Sequence, residues 1–195
     1  MKFINEFTSY KDNLTISESN VTFFGSARFK PDNKYCIKAK ELAFMLSENG
    51  INIITGGGDG IMGAANEGAY KSKKSQSIGF NIKLPFEQQI NNFTSYSFIF
   101  SNFLPRKFAL IEHSKAFVVF PGGFGTLDEL FEVLVLSQTK LKKAKIFLYG
   151  VEFWKKLDDF IKTTLLNENA IDTNSLELYK ITDDLDFIKN KILNI

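Results

Sequence analysis

Cysteine and histidine each occur once in this chain, and of its 24 basic residues only two, Arg28 and Arg106, are arginine. A lone Cys36 cannot close an internal disulfide, and with no cysteine or histidine beside it on its helix it reads as packing rather than as a metal or redox site. His113, placed between a helix and a strand, reads as structural, at a helix end where a cation suits the dipole. No apolar run approaches the roughly 18 residues needed to cross a bilayer. The opening MKFINEFTSYKDNL lacks the apolar core and the small-residue cleavage site of a signal peptide. The expectation is a soluble, cytoplasmic protein with no membrane partner. The 24 basic residues nearly balance 22 acidic ones, leaving +2 without a basic tail or stripe, so no nucleic-acid partner is expected. Where lysine is the default cation, an arginine marks a place where the planar, permanently charged fork is needed.

What is present is a βαβα alternation. Short β-branched and aromatic runs at residues 21–24, 51–55, 77–82, 97–100, 116–120 and 145–149 each end in glycine, proline or a small polar residue, and several are apolar nearly throughout, as strands covered on both faces must be. Between and after them, amphipathic stretches predict helices over 32–48, 60–73, 106–114, 126–137, 152–166 and 183–193. The fold class is α/β: a doubly wound, Rossmann-like parallel sheet flanked by helices, in a single domain over residues 20–195. Residues 1–19 read as an N-terminal helical extension with Phe3, Ile4, Phe7 and Tyr10 on one face, packed on the domain or on a partner.

Three strand ends run into glycine turns: Gly25-Ser26-Ala27-Arg28, Gly56-Gly57-Gly58-Asp59-Gly60, and Pro121-Gly122-Gly123-Phe124-Gly125-Thr126. In open α/β sheets ligands bind outside the carboxyl ends of the strands, so turns from three strands can meet in one crevice. Glycine lets the backbone approach a ligand, and the helix N-terminus that follows adds unpaired donors and a favourable dipole for an anion such as phosphate. Gly58, Gly60 and Gly63 formally satisfy GxGxxG, but the acidic ribose partner of dinucleotide folds, about 20 residues on, is missing. There is no Walker-type GxxxxGK[ST]. A mononucleotide or a sugar phosphate fits better than NAD or ATP.

Thr126 and Glu129, three residues apart, form a capping-box pattern at a helix start. The same glutamate, one helical turn from a phosphate-type loop, is also placed to face a ligand's sugar, with Arg106 and Lys107 as balancing cations. Pro121-Gly122-Gly123-Phe124-Gly125-Thr126-Leu127-Asp128-Glu129 matches the PGGxGTxxE signature of the Lonely Guy proteins, phosphoribohydrolases once labelled lysine decarboxylase-like, and the chain resembles that family over roughly residues 20–155. The Arg106-Lys107 pair, Phe24 to Arg28, Gly56 to Met62 and Gly79 to Gln88 support the resemblance. Phe103 stands where many plant-type members carry methionine, Asp59 replaces a common proline, and the segment Leu84-Pro85-Phe86-Glu87-Gln88 resembles the larger bacterial branch.

The resemblance implies hydrolysis of the N-glycosidic bond of a nucleoside 5′-monophosphate, AMP or a cytokinin riboside monophosphate, to free base and ribose 5-phosphate. Carried over by position, Arg106 and Glu129 are the catalytic pair. Gly122, Gly123, Gly125 and Thr126 hold the phosphate, and Ser26, Gly57, Gly58, Met62 and Lys107 are further substrate contacts. Such chemistry develops oxocarbenium character on the ribose, which a carboxylate can stabilise while it activates water. No cofactor and no metal is expected. Decarboxylation would need pyridoxal phosphate on a Schiff-base lysine, and no lysine sits in a recognisable setting for it. The rival reading is a carrier of the same fold that holds a nucleotide or nucleotide-like cofactor without turning it over. The run Phe131 to Leu136 is apolar on more than one helical face, which predicts a homo-oligomer, a dimer or higher, through the 126–137 helix.

Overall fold

The computed structural model describes residues 2–12, 14, 19–84 and 89–195, the side chains of Lys2 and Phe3 excepted. Seven strands, β1 (Asn20–Phe24), β2 (Asn52–Thr55), β3 (Ser77–Ile82), β4 (Tyr96–Phe100), β5 (Ala116–Val119), β6 (Lys145–Tyr149) and β7 (Tyr179–Thr182), form one sheet. Their order is β4-β3-β2-β1-β5-β6-β7 and every pairing is parallel. The helices are α1 (Lys2–Ser9), α2 (Lys34–Glu48), α3 (Ile61–Ser72), α4 (Phe103–Glu112), α5 (Phe124–Gln138), α6 (Val151–Phe160) and α7 (Leu185–Leu193).

The sheet is covered on both sides, which is why its inner strands read as nearly unbroken apolar runs. In β1, Val21 and Phe23 join Ala39, Leu42, Ala65, Ile188 and other residues of α2, α3 and α7 in one buried cluster. Phe24, with Phe117 and Val119 of β5, joins Leu110 of α4, Leu130 and Val133 of α5 and Trp154 of α6 in the other. A parallel strand needs a crossover, and here a helix lies on every one except that from β3 to β4, where none is found among the described residues. The chain runs outward from β1 to β4 in one direction and then returns to lay β5 on the other side of β1. The strand order therefore reverses between β1 and β5, and at such a switch point the turns leaving adjacent strands diverge and open a crevice.

The expected elements all form, with shifted ends. Helix α2 begins after Asn33, whose side chain accepts from the Tyr35 N–H as an N-cap should. Helix α4 starts at Phe103 rather than near Arg106; Pro105 does not delay it, because a proline in the first turn lacks only an N–H that would have had no partner. The helix expected over 152–166 is α-helical only to Phe160 and continues as a π turn over Ile161–Leu165. Strand β7 was not expected. It is a four-residue edge strand with part-exposed side chains, so it carries no apolar run.

Helix α1 packs on the domain itself. The Phe7 ring meets Phe108 edge-on at 5.6 Å, and Tyr10, just past the helix end, is fully buried. Ile4, expected on the packed face, is instead 69% exposed. The Phe3 side chain and residues 85–88, which include most of the Leu84 to Gln88 motif, lie outside the described residues. Among the described residues no helix is long and apolar enough to cross a membrane.

Candidate active site

The three glycine turns meet at the switch point. Ser26, leaving β1, donates its N–H to the Pro121 carbonyl after β5 at 3.1 Å, and its own carbonyl accepts from Ile61 at the start of α3 at 3.0 Å. A single residue thus ties together the turns that follow β1, β2 and β5. Gly122 is forced by the contact with its neighbours: a Cβ there would collide with the Thr126 Oγ1 and lie 2.9 Å from the Ser26 nitrogen. Thr126 is buried against that glycine.

The capping box does not form. Helix α5 begins at Phe124, two residues before Thr126, with Gly123 as its N-cap and no side-chain cap. Thr126 is therefore the third helical residue and Glu129 the sixth. The first intrahelical bond seen at this end runs from the Leu127 N–H to the Gly123 carbonyl at 3.0 Å. The preceding turn, with Gly123 and Gly125 facing open space, presents its N–H groups without a side chain over them. A helix end in this condition carries a partial positive charge and favours an anion.

Arg106, in the second turn of α4, reaches back over the sheet. Its Nε donates to the Phe80 carbonyl within β3 at 2.8 Å, and its guanidinium lies over Gly56, where a Cβ would collide with Nη2 and sit 2.7 Å from the Met62 sulfur. Only glycine at position 56 lets the arginine and Met62 share that space. Neither Gly56 nor the Phe80 carbonyl is singled out by the sequence pattern: a backbone acceptor has no signature, and one glycine in a run of three looks like the next. From this anchored position Nη1 faces the Glu129 carboxylate at 3.6 Å.

The pair is nearly closed off from water, with side-chain exposures of 11% for Arg106 and 15% for Glu129. Burial pushes the Glu129 carboxyl up to about 7, against the attraction of Arg106 and Lys107 and reinforced by repulsion from Asp128 and Glu132. Lys107 bridges Asp128 at 3.0 Å and Glu132 at 2.8 Å, so it is committed to the two carboxylates that flank Glu129.

The turn after β2 is fastened differently. The Gly57 N–H is donated to the Thr55 hydroxyl, while the Gly57 and Gly58 carbonyls accept from the Asn91 backbone and amide. Beneath them Thr55, Asn66, Asn91 and Ser77 form one buried chain of hydrogen bonds. The Gly57 donor, expected to meet substrate, is thus already engaged. Arg28 is exposed, its backbone N–H on the Ser26 hydroxyl, and does not join Arg106. His113 lies outside the crevice at the end of α4, where its ring bonds Tyr10 at 2.8 Å. Burial lowers its pKa, so the helix-end cation expected there is disfavoured.

Fold and site together define a Rossmann-like α/β protein with a nearly buried arginine–glutamate pair beside an anion-favouring helix end. Residues 62–192 match the profile of the family described as "Possible lysine decarboxylase". The chain is 28% identical to the cytokinin riboside 5′-monophosphate phosphoribohydrolase LOG4 of Arabidopsis thaliana, over 80% of this chain and 73% of that one. It is 31% identical to LOG1 of the same plant, over 63% of this chain and 59% of that one. It belongs to this family, the Lonely Guy family. The fold is also that of the molybdenum cofactor binding protein from Rippkaea orientalis, with a TM-score of 0.67 at 16% identity, covering 92% of this chain and 98% of the other.

Proposed function

We propose that the protein is a phosphoribohydrolase that cleaves the N-glycosidic bond of nucleoside 5′-monophosphates, with AMP and cytokinin riboside 5′-monophosphate as substrates. The observation that carries this reading is the Arg106–Glu129 pair, 3.6 Å apart and buried, with a carboxyl group held at about 7. A carboxyl poised near neutrality is suited to moving a proton, and a perturbed group in a cleft is a marker of chemistry. The phosphoribohydrolase names of LOG4 and LOG1 support the same reaction class.

In this reading the substrate phosphate lies at the open end of α5, against Gly123 and Gly125, with Gly122 and Thr126 forming the floor and Ser26 the rim. The ribose reaches Glu129. As the bond from C1′ to the base nitrogen breaks, its electron pair goes to the base, and the carboxylate stabilises the positive charge that develops on the sugar. Water adds its hydroxyl to C1′, and its proton passes by way of Glu129 to the departing base. Arg106, fixed by Phe80, holds the register of the sugar phosphate and keeps a fraction of Glu129 ionised. Met62 borders the pair, Gly57 and Gly58 form the fixed wall beside it, and Lys107 screens Asp128 and Glu132 from the reacting centre.

The test is incubation of purified protein with AMP and chromatography for free adenine. Glu129→Gln is expected to lose about 100-fold or more in rate, and adenosine, which has no phosphate for the α5 end, is expected to be a poor substrate. Equal turnover of adenosine and AMP, or an undiminished Gln variant, contradicts the reading. The second reading, a carrier of a nucleotide-like cofactor, draws on the fold shared with a molybdenum cofactor binding protein. It predicts binding without base release and gives Glu129 nothing to do.

The assembly belongs to the same proposal. Phe124, Phe131 and Val135 of α5 are 92%, 38% and 54% exposed, and lie on one helical stripe. Phe103, Leu104 and Phe108 of α4 are exposed as well. An apolar surface of this kind marks an interaction site, and its occupant here is a second copy, so that the active site lies beside the contact between protomers.

A further inference from the structure

We propose that α1 is a positioning element of the active site, with Glu6, bonded to the turn before α4, and Tyr10, bonded to the end of α4, holding that helix at both ends and so setting where Arg106 stands. The inference rests on the Arg106–Glu129 reading above but concerns residues outside the crevice.

Helix α4 has no acidic residue in its first turn, and its N-cap Asn102 makes no side-chain cap bond. The turn that leads into the helix is held from elsewhere in the chain. Glu6 Oε1 accepts from the Ser101 backbone N–H at 3.0 Å, and Oε2 accepts from the Asn102 amide at 3.2 Å. Glu6 is buried. Burial alone pushes its carboxyl up, but the hydrogen bonds from Ser101 and Asn102 outweigh it and hold the group below the ordinary carboxylate value, so it stays charged at neutral pH. A negative charge at this position also complements the dipole of α4.

At the other end the Tyr10 hydroxyl donates to Glu112 at 2.9 Å and meets the His113 ring nitrogen at 2.8 Å, and Lys11 pairs with Glu112 at 3.2 Å. The Tyr96 hydroxyl donates to the Tyr10 carbonyl, which anchors the strap to β4. Between these two clamps, Phe7 packs on Phe108. Arg106 lies between the clamps. It must be placed closely, because it meets the Phe80 carbonyl, Gly56 and Glu129 at once.

A purely structural strap would change stability alone. A positioning strap also changes Glu129, whose titration is set first by burial and then by the charges around it: Arg106 and Lys107 from α4, Asp128 and Glu132 from α5. The experiment compares stability as a function of pH for four proteins: wild type, Glu129→Gln, Glu6→Ala, and the double variant. The difference within each pair reports the Glu129 midpoint without any need for turnover. In the Glu6→Ala background the midpoint is expected to move up by about one pH unit as Arg106 retreats. The AMP rate is expected to fall roughly 10- to 100-fold. Glu6→Gln keeps one acceptor and serves, read in the same way, if the alanine variant fails to fold; it is expected to show a smaller shift in the same direction. A midpoint unchanged from wild type overturns the proposal. Failure of the wild type to release adenine overturns the hydrolase reading and leaves this measurement intact.

Discussion

Replacing Glu129 by glutamine is expected to make the protein more stable while it stops the chemistry. A carboxyl at about 7 in the fold, against an ordinary value of 4.5, means that the folded state binds this proton more tightly than the unfolded chain does. The stability that results is fully present below about 4.5 and is lost as the pH rises through about 7. Above that the fold carries a buried charge that the unfolded chain would solvate. The difference between the two values, at 1.36 kcal/mol per unit, comes to roughly 3 kcal/mol. Glutamine has the shape of the protonated acid and no charge, so the variant matches wild type at about pH 4.5 and exceeds it by roughly 3 kcal/mol at about pH 8.5. For a chain of this size that is a rise in melting temperature of about 6–12 °C. The assay is urea unfolding across the range, with a change in midpoint and an unchanged slope identifying a true stability effect. A constant offset across the range, or a glutamine variant weaker than wild type at the alkaline end, refutes the desolvation argument and with it the poised carboxylate.

The same titration sets the rate profile: kcat/KM for AMP is expected to climb as the pH passes about 7, since only the ionised Glu129 supports the oxocarbenium ion, and a profile flat across that region would contradict the assignment. Gly56→Ala is expected to displace the Arg106 guanidinium or Met62 and to lower the AMP rate by roughly 100-fold, checked by steady-state kinetics on protein whose circular dichroism is unchanged. Phe131→Glu together with Val135→Glu is expected to convert the assembly to monomers in sedimentation, because it charges the exposed stripe of α5; a wild type that already sediments as a monomer removes that part of the proposal.

The fold is legible because its inner strands are buried on both faces and its turns carry glycine or proline. Residues 77–82 and 145–149 form strands at the expected boundaries, and each helix with a strong apolar period appears. Strand β7 has no such signal, because an edge strand needs no apolar run. The site was legible in part. Arg106 and Glu129 stand together as their motif implied, and Ser26 and Gly122 meet. The helix start at Phe124 is masked because Thr126 and Glu129 have the spacing of a capping box, which a glycine N-cap three residues before Thr126 overrides. The anchors of Arg106 were not legible at all, since one is a carbonyl and the other is the missing side chain of Gly56. Glu6 lies 95 residues from Ser101, whose N–H it accepts, beyond the reach of any local pattern.

The buried chain of Thr55, Asn66, Asn91 and Ser77 beneath the Gly57 turn divides the crevice into two unequal walls. Each amide and hydroxyl in it has its partner inside the protein, so a change at one member strands the next and is felt along the whole chain. That wall is frozen. Adaptation of this scaffold to a new base or a bulkier sugar has to proceed from the other side, at the open mouth of α5, where Gly123 and Gly125 face open space.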